Sequence, residues 1–285
     1  MLVPMGKMLE AAKRERYAVG AFDVVNLETA RGVLDSAISL RSPVIMAIPE
    51  AFGDFCGLDA LVNGIRFVAA NLDIPVAIIL DHGQSYESCL RAIQVGMTTV
   101  MFDGSRLPLA ENIAITKEVV RAARAVGVSV EAEVGHVGSG QASAEGSGNQ
   151  DHTKLTDPAD AVEFVRATGV DALAVAVGTA HGLYAGTPKI EYDLLRTLAR
   201  DVPVPLVLHG GSSTGDERLR RAVEEGICKV NIFTDMSVKA VQDIRVALED
   251  PKGRAWMGSI AGQARASFAE VSAHYMKLFG SAGKA

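Results

Sequence analysis

Cysteine is scarce in this 285-residue chain. Its three residues, Cys56, Cys89 and Cys228, are odd in number and form no Cys-x-x-Cys pair. That excludes a disulfide scaffold and leaves them as buried small side chains in a reducing compartment. Long apolar runs are missing too. None reaches the roughly 20 residues that cross a bilayer. The first sixteen residues pass from an apolar start to Lys7, Glu10, Lys13, Arg14 and Glu15, without the apolar core or cleavage site of a signal peptide. Basic clusters are absent as well. Lys and Arg number 28 against 34 Asp and Glu, a formal net charge of −6, whereas a nucleic-acid partner requires a basic patch. The expectation is a cytoplasmic protein that engages neither nucleic acid nor membrane.

What is present is an ordinary globular composition, 48% hydrophobic and 22% charged, which excludes disorder and collagen-like repeats. A chain of this length buries roughly three-quarters of its unfolded surface and needs no staple. Short runs rich in Val and Ile recur at 18–24, 43–48, 75–80, 98–102, 128–134, 172–177, 204–208 and 228–233, apolar at successive positions. Strands buried on both faces, as in a parallel sheet, read this way. Amphipathic stretches at 27–40, 58–71, 85–95, 113–126, 158–168, 194–201 and 217–225 lie between and after them. Thr156-Asp157-Pro158 and the hydroxyls of Ser213-Thr214 before Asp216 supply helix-capping signals. No Gly-x-Gly-x-x-Gly follows the first run, where Val25-Asn26-Leu27-Glu28 stands instead, so an open dinucleotide-binding sheet is disfavoured. Eight strand–helix units predict an α/β fold, a closed (β/α)8 TIM barrel. It fills one domain over residues 1–285, with a C-terminal helical extension from 236 onward and no internal repeat.

Six histidines are present, and three of them share a position. His82 ends the third run, His181 follows the sixth and His209 ends the seventh, each directly before a glycine. In a barrel these points surround the C-terminal mouth and can converge. Three imidazoles that leave a fourth position open form a catalytic zinc set; three unrelated mouth histidines are the alternative. His136 and His152 flank a small, polar, glycine-rich stretch at 135–151, which is either a solvated loop or a lid over the mouth. His274 belongs to the terminal helical stretch, and these last three histidines carry no such pattern. Asp81 adjoins His82. A carboxylate there needs a partner, so it either orients a histidine or moves a proton on bound substrate. Of Glu131 and Glu133 on the fifth run, one is expected to point inward; Glu133 is a candidate carboxylate behind the ligands or an alternate ligand. Gly210-Gly211-Ser212-Ser213 and Asn231-Ile232-Phe233-Thr234-Asp235 follow the seventh and eighth runs, where this fold commonly cradles phosphate.

These pieces resemble the zinc-dependent class II ketose-bisphosphate aldolase family, which includes fructose- and tagatose-bisphosphate aldolases. The matching motifs are SPVIMA (42–47), LDHG (80–83), VEAEVG (130–135), GTAHGLY (178–184), LVLHGGS (206–212), KVNIFTD (229–235) and the terminal FGSAGKA, in family order along essentially the whole chain. The resemblance implies Zn2+ at His82, His181 and His209, with Asp81 as the proton-donating acid. It implies phosphate and dihydroxyacetone contacts from Gly182, Gly210, Gly211, Ser212, Asn231, Ile232, Phe233 and Thr234. It further implies a monovalent cation (Na+ or K+) near the phosphate, a phosphorylated sugar substrate, and a homodimer or homotetramer. The reaction it implies is reversible cleavage of a phosphorylated ketose to dihydroxyacetone phosphate and an aldehyde.

The departures from the family pattern fall where substrates are told apart. Asp23 stands where an asparagine is usual, and Pro49-Glu50-Ala51-Phe52 replaces SEGA. Phe233 takes a position that usually sets the choice between fructose and tagatose bisphosphate. In the lid, Gln141 replaces the family's proton-moving glutamate, and Glu145 is a candidate substitute. These changes keep a second reading in view, a weakened member that binds a sugar phosphate. A zinc hydrolase on the same fold would want a His-x-His pair on the first strand, which Phe22-Asp23-Val24 lacks.

Overall fold

The computed structural model describes residues 1–139, 153–184, 186, 188–249 and 256–285. Its barrel strands are β1 (Val19–Asp23), β2 (Val44–Pro49), β3 (Val76–Gly83), β4 (Thr99–Phe102), β5 (Ser129–Val134), β7 (Ala172–Val175), β9 (Leu206–Leu208) and β10 (Ile227–Ile232). All pair in parallel and close in the order β1-β10-β9-β7-β5-β4-β3-β2. They are the eight expected runs, shifted by at most three residues at either end. Two very short strands, β6 (Gly138–Ser139) and β8 (Ala180–His181), pair separately beside the mouth.

The helices around the barrel are α2 (Leu27–Leu40), α4 (Leu58–Ala69), α5 (Tyr86–Val95), α6 (Leu109–Ala125), α7 (Pro158–Thr168), α8 (Tyr192–Asp201), α9 (Asp216–Glu224) and α10 (Thr234–Glu249). A turn of 3-10 helix at Glu50–Phe52 and the short α3 (Gly53–Cys56) precede α4. Asp157 caps α7 as expected, accepting the Ala159 amide before Pro158 can disturb any bond. The capping expected from Ser213 and Thr214 does not occur. Gly215 is the N-cap of α9 and makes no side-chain cap bond; both hydroxyls serve other acceptors, described below.

Two elements were not legible as drawn from the sequence. The first is α1 (Met5–Glu15), which plugs the N-terminal end of the barrel with Met5, Met8, Leu9 and Ala12. Helix starts leave unbonded amides, and here Met5 N and Gly6 N donate to Thr99 Oγ1 and Ser129 Oγ, hydroxyls at strand starts. The second is the split of the C-terminal extension into α10 and α11 (Met257–Leu278). The α11 helix lies against α2 so closely that a Cβ on Gly32 would sit 2.3 Å from the Arg265 carbonyl oxygen, while Arg265 grips Asp35 through two hydrogen bonds.

Strand residues two apart share a face. Ala21, Ile45, Ala47, Ala77, Ile79, Met101, Ala172, Ala174 and Val207 face the barrel interior and join α1 in one core. Their neighbours, among them Phe22, Met46, Ile78 and Val100, pack in the other core with residues of the surrounding helices. Following the inward set toward the C-terminal ends leads to Asp23, Asp81, Glu131, Glu133, His209 and Asn231, all buried. The same period corrects the expectation for β5: Glu131 and Glu133 are two apart, so both point inward. Of the cysteines, Cys89 and Cys228 are buried but Cys56 is only half-buried. Among the described residues no helix is long and apolar enough to cross a membrane.

Candidate active site

The three mouth histidines converge. Ring centroids lie 4.7 Å apart for His82 and His181, 4.6 Å for His82 and His209, and 5.7 Å for His181 and His209. One nitrogen from each falls within a mutual 4.8 Å, close enough for the three to gather around one ion. The His82 and His209 rings are aimed by neighbouring carboxylates. His82 has left-handed backbone (φ +50) at the end of β3, a conformation uncommon outside glycine and concentrated at functional sites. Its Nδ1 lies 3.0 Å from Asp103 Oδ2, and its Nε2 is buried without a hydrogen-bond partner. His209 is the mirror case, with Nε2 2.9 Å from Glu131 Oε1 and Nδ1 buried and unpartnered. Thr179 Oγ1 fixes the His209 backbone by donating to its carbonyl at 2.7 Å.

Buried imidazole nitrogens rarely go unsatisfied. A ring held by a carboxylate on one side, with a bare nitrogen on the other, is the usual arrangement of a metal-binding histidine. The donor set therefore fits a divalent ion of zinc's preference for nitrogen. Glu133 forms a second such group with His82 and Asp103; its Oε1 accepts the Val137 amide at 2.8 Å and its Oε2 is unpartnered. Glu133 thus lies against the His82–Asp103 pair.

Electrostatics point the same way. Burial alone would lower the His82 pKa, but Asp81, Asp103 and Glu133 outweigh it and hold it up to about 10. Burial, then the Asp103 charge, pushes Glu133 up to about 8. Burial and the neighbouring His82 drive His209 well below its ordinary value. The pocket concentrates negative potential that a dication would neutralise.

Asp81 is fully buried, and Asn231 Nδ2 donates to both of its oxygens at 3.1 Å. Its Oδ2 is 3.9 Å from the bare His82 Nε2, so this carboxylate borders the ion position without being spent on a histidine. Beneath the site, Lys229 Nζ donates to Glu131 at 2.9 and 2.8 Å, with both side chains fully buried. The lysine fixes the carboxylate that fixes His209.

The loops after β9 and β10 lie together. Gly210 has φ +68, and a Cβ there would sit 2.4 Å from the Ala180 oxygen, so only glycine fits. Tyr184 Oη and Thr214 Oγ1 both donate to the Gly210 carbonyl. Ser212 Oγ accepts the amides of Phe233 and Asp235. Gly182, Gly211, Ile232 and Thr234 stand beside these contacts in sequence. The Phe233 ring packs against Phe52, centroids 5.1 Å apart, and a cavity adjoins the histidines. That cavity, about 450 Å³, is lined by Pro49, Glu50, Ala51, His82, Gln84, Asp103, Arg106, His136, Val137, Ser139 and His181. His136, which carried no pattern, therefore faces the site, its Nδ1 2.8 Å from Ser105 Oγ. Gln141, Glu145 and His152 lie outside the described residues.

Sequence reasoning missed Asp103, the Glu131–Lys229 pair and the placement of His136. The first two had signals: an aspartate at the end of the fourth run, like Asp81, and a lone lysine inside an apolar run.

Comparison with known proteins agrees along the whole chain. The family model described as class-II fructose-bisphosphate aldolase matches residues 3–284. A fructose-bisphosphate aldolase of Geobacillus stearothermophilus is 38% identical over 287 residues, covering all of this chain and 99% of the relative. A 6-phospho-5-dehydro-2-deoxy-D-gluconate aldolase of Halalkalibacterium halodurans is 36% identical over 288 residues, covering all of this chain and 98% of the relative. The crystal structure of the YdjI aldolase from Escherichia coli K12 superposes with a TM-score of 0.88 at 33% identity, covering both chains completely.

Proposed function

The chain belongs to the class II fructose-bisphosphate aldolase family, a family of carbon–carbon lyases, and from that premise we propose zinc-dependent, reversible cleavage of a ketose that carries a phosphate on its dihydroxyacetone half. The observation that carries the reading is the pair of bare buried nitrogens, His82 Nε2 and His209 Nδ1, beside the Asp81 carboxylate that Asn231 holds. A zinc ion held by His82, His181 and His209 would supply Lewis acidity at the ketose carbonyl. Asp81 takes the proton of the C4 hydroxyl as the C3–C4 bond breaks, and returns it in the reverse direction. Asn231 fixes the direction of that carboxylate, while Lys229 and Glu131 fix His209. The loop at 210–212 and the start of α10 hold the phosphate. Family membership disposes of the hydrolase reading.

The relatives' names differ in substrate, so the residues of this chain must select it. Asp23 is a fully buried carboxylate at the end of β1; it would repel a phosphate but accept hydrogen bonds from hydroxyls. We therefore place a phosphate on one half of the ketose and a group other than phosphate near Asp23. The test is cleavage of fructose 1,6-bisphosphate, tagatose 1,6-bisphosphate and 6-phospho-5-dehydro-2-deoxy-D-gluconate by metal-stripped and zinc-loaded protein. Activity that survives metal removal overturns the zinc reading. Binding of dihydroxyacetone phosphate without cleavage of any ketose replaces the enzyme with the weakened binder that Gln141 suggests.

A further inference from the structure

Residues 210–215 hold an unusual backbone. Ser213 lies in the left-handed region at φ +58, and Gly210 precedes it at +68; a residue with a side chain adopts this region only when its surroundings impose it. Asp235, in the first turn of α10, imposes it. Its Oδ2 accepts the Ser213 amide and its Oδ1 accepts Ser213 Oγ, each at 2.9 Å. This is why the Ser213 hydroxyl is unavailable as a cap for α9.

The same Oδ2 accepts a second hydrogen bond, at 2.5 Å, from Tyr275 Oη on α11. Tyr275 is only 6% exposed, and its aromatic ring stacks on Phe279. The adjacent His274 reaches Asp216 at the start of α9, Nε2 to Oδ1 3.0 Å. The C-terminal helix thus touches both helices that follow the proposed phosphate loops. A carboxylate beside a phosphate cradle is a liability, because like charges repel. Here its oxygens are occupied by Ser213 and Tyr275, which turn the liability into a fastening.

We propose that Tyr275 is a positioning residue for the phosphate cradle, acting through Asp235 on Ser213, so that the C-terminal helix sets affinity for the phosphate-bearing half of the substrate without touching it. The proposal rests on the ketose-phosphate reading above. In zinc-loaded full-length protein, Tyr275→Phe raises the Kd of dihydroxyacetone phosphate, measured by calorimetry, about three- to tenfold, the scale of one lost hydrogen bond. KM for the phosphorylated ketose rises in parallel, kcat stays within twofold, and affinity for unphosphorylated dihydroxyacetone is unchanged. Asp235→Ala has a larger effect on phosphate affinity, and adding Tyr275→Phe to it costs nothing more, because the path to Ser213 is already cut. Unchanged phosphate affinity in Tyr275→Phe overturns the proposal. So does an equal loss for dihydroxyacetone and its phosphate, which would mark general loosening, and so does additivity in the double variant. An unaltered protein that binds no dihydroxyacetone phosphate overturns the proposed function as well; one that binds it as tightly as Tyr275→Phe does overturns only the role of Tyr275.

Discussion

The two ends of the barrel are built on the same alternation and filled with opposite chemistry. At the floor, Met5, Leu9, Ala21, Ala47, Ala77 and Ala174 are fully buried and apolar, and α1 finds its first two hydrogen-bond acceptors in strand hydroxyls. At the mouth, the next inward positions carry carboxylates, imidazoles, a lysine and an asparagine, equally buried. The floor is complete as it stands. The mouth has bare nitrogens and a carboxylate crowd that call for a cation. Burying such groups costs free energy that the apolar end must offset, so floor changes should move stability alone and mouth changes should move chemistry first.

The largest break in that contrast is removal of a ligand. His82→Ala or His209→Ala should abolish both bound zinc and cleavage, read by metal content and activity, whereas Leu9→Ala at the floor should leave kcat intact while costing about 2–5 kcal/mol of stability. Next comes Asp81→Ala, expected to keep zinc and dihydroxyacetone phosphate binding yet lose at least ~10² in cleavage, the low end for a proton-moving group. A variant that instead loses its metal and regains a normal rate with excess zinc would make Asp81 a residue that orients a histidine.

Lys229→Met tests whether a mouth residue far from substrate behaves like the floor. It strands Glu131 in the interior and should cost about 3–5 kcal/mol in a denaturation experiment, but unlike Leu9→Ala it should also weaken zinc binding, because Glu131 aims His209. If zinc affinity does not change, the pair is structural only.

Protons should compete with the metal. Burial would lower the His82 pKa, but the carboxylates around it hold it up to about 10, so a dication that takes its Nε2 displaces a proton at pH 7. Zinc affinity should therefore rise with pH, about tenfold per unit for that proton. Calorimetric titration in buffers of different protonation enthalpy counts the released protons; none released at pH 7 would refute this account. The smallest expected effect is Asp23→Asn, a gain of about tenfold or less in kcat/KM on fructose 1,6-bisphosphate, since substrate discrimination at one group is a matter of a few kcal/mol at most. Rapid cleavage of that substrate by the unaltered protein would show Asp23 to be neutral.

The barrel was legible because a doubly buried parallel strand must be apolar at successive positions, and the eight runs are. His82, His181 and His209 were legible because each ends such a run. The floor was not, although Met5, Met8, Leu9 and Ala12 have helical spacing, because what α1 covers is the far end of strands that the sequence places up to about 220 positions away, an arrangement only the closed barrel creates. Glu131 and Lys229 are 98 positions apart, a pairing that only the closed sheet creates. Ser213 was misread as a cap for the same reason: the nearby helix offered a local use, and its true partner, Asp235, lies across the next strand. The β6 and β8 strands, two residues each, are too short to leave any periodicity.

The pairing of β1 with β10 has a consequence for synthesis. During translation, the first strand is made early and waits with one edge bare until the last has left the ribosome, since Ala21 pairs with Ile45 on one side but with Asn231 on the other. Until then the nascent sheet is open at both sides, and open edges invite pairing with other chains. The metal offers no early help, because His209 emerges after most of the barrel. A product truncated before residue 227 is therefore expected to be not a weaker enzyme but a sticky one, dependent on chaperones and prone to aggregate.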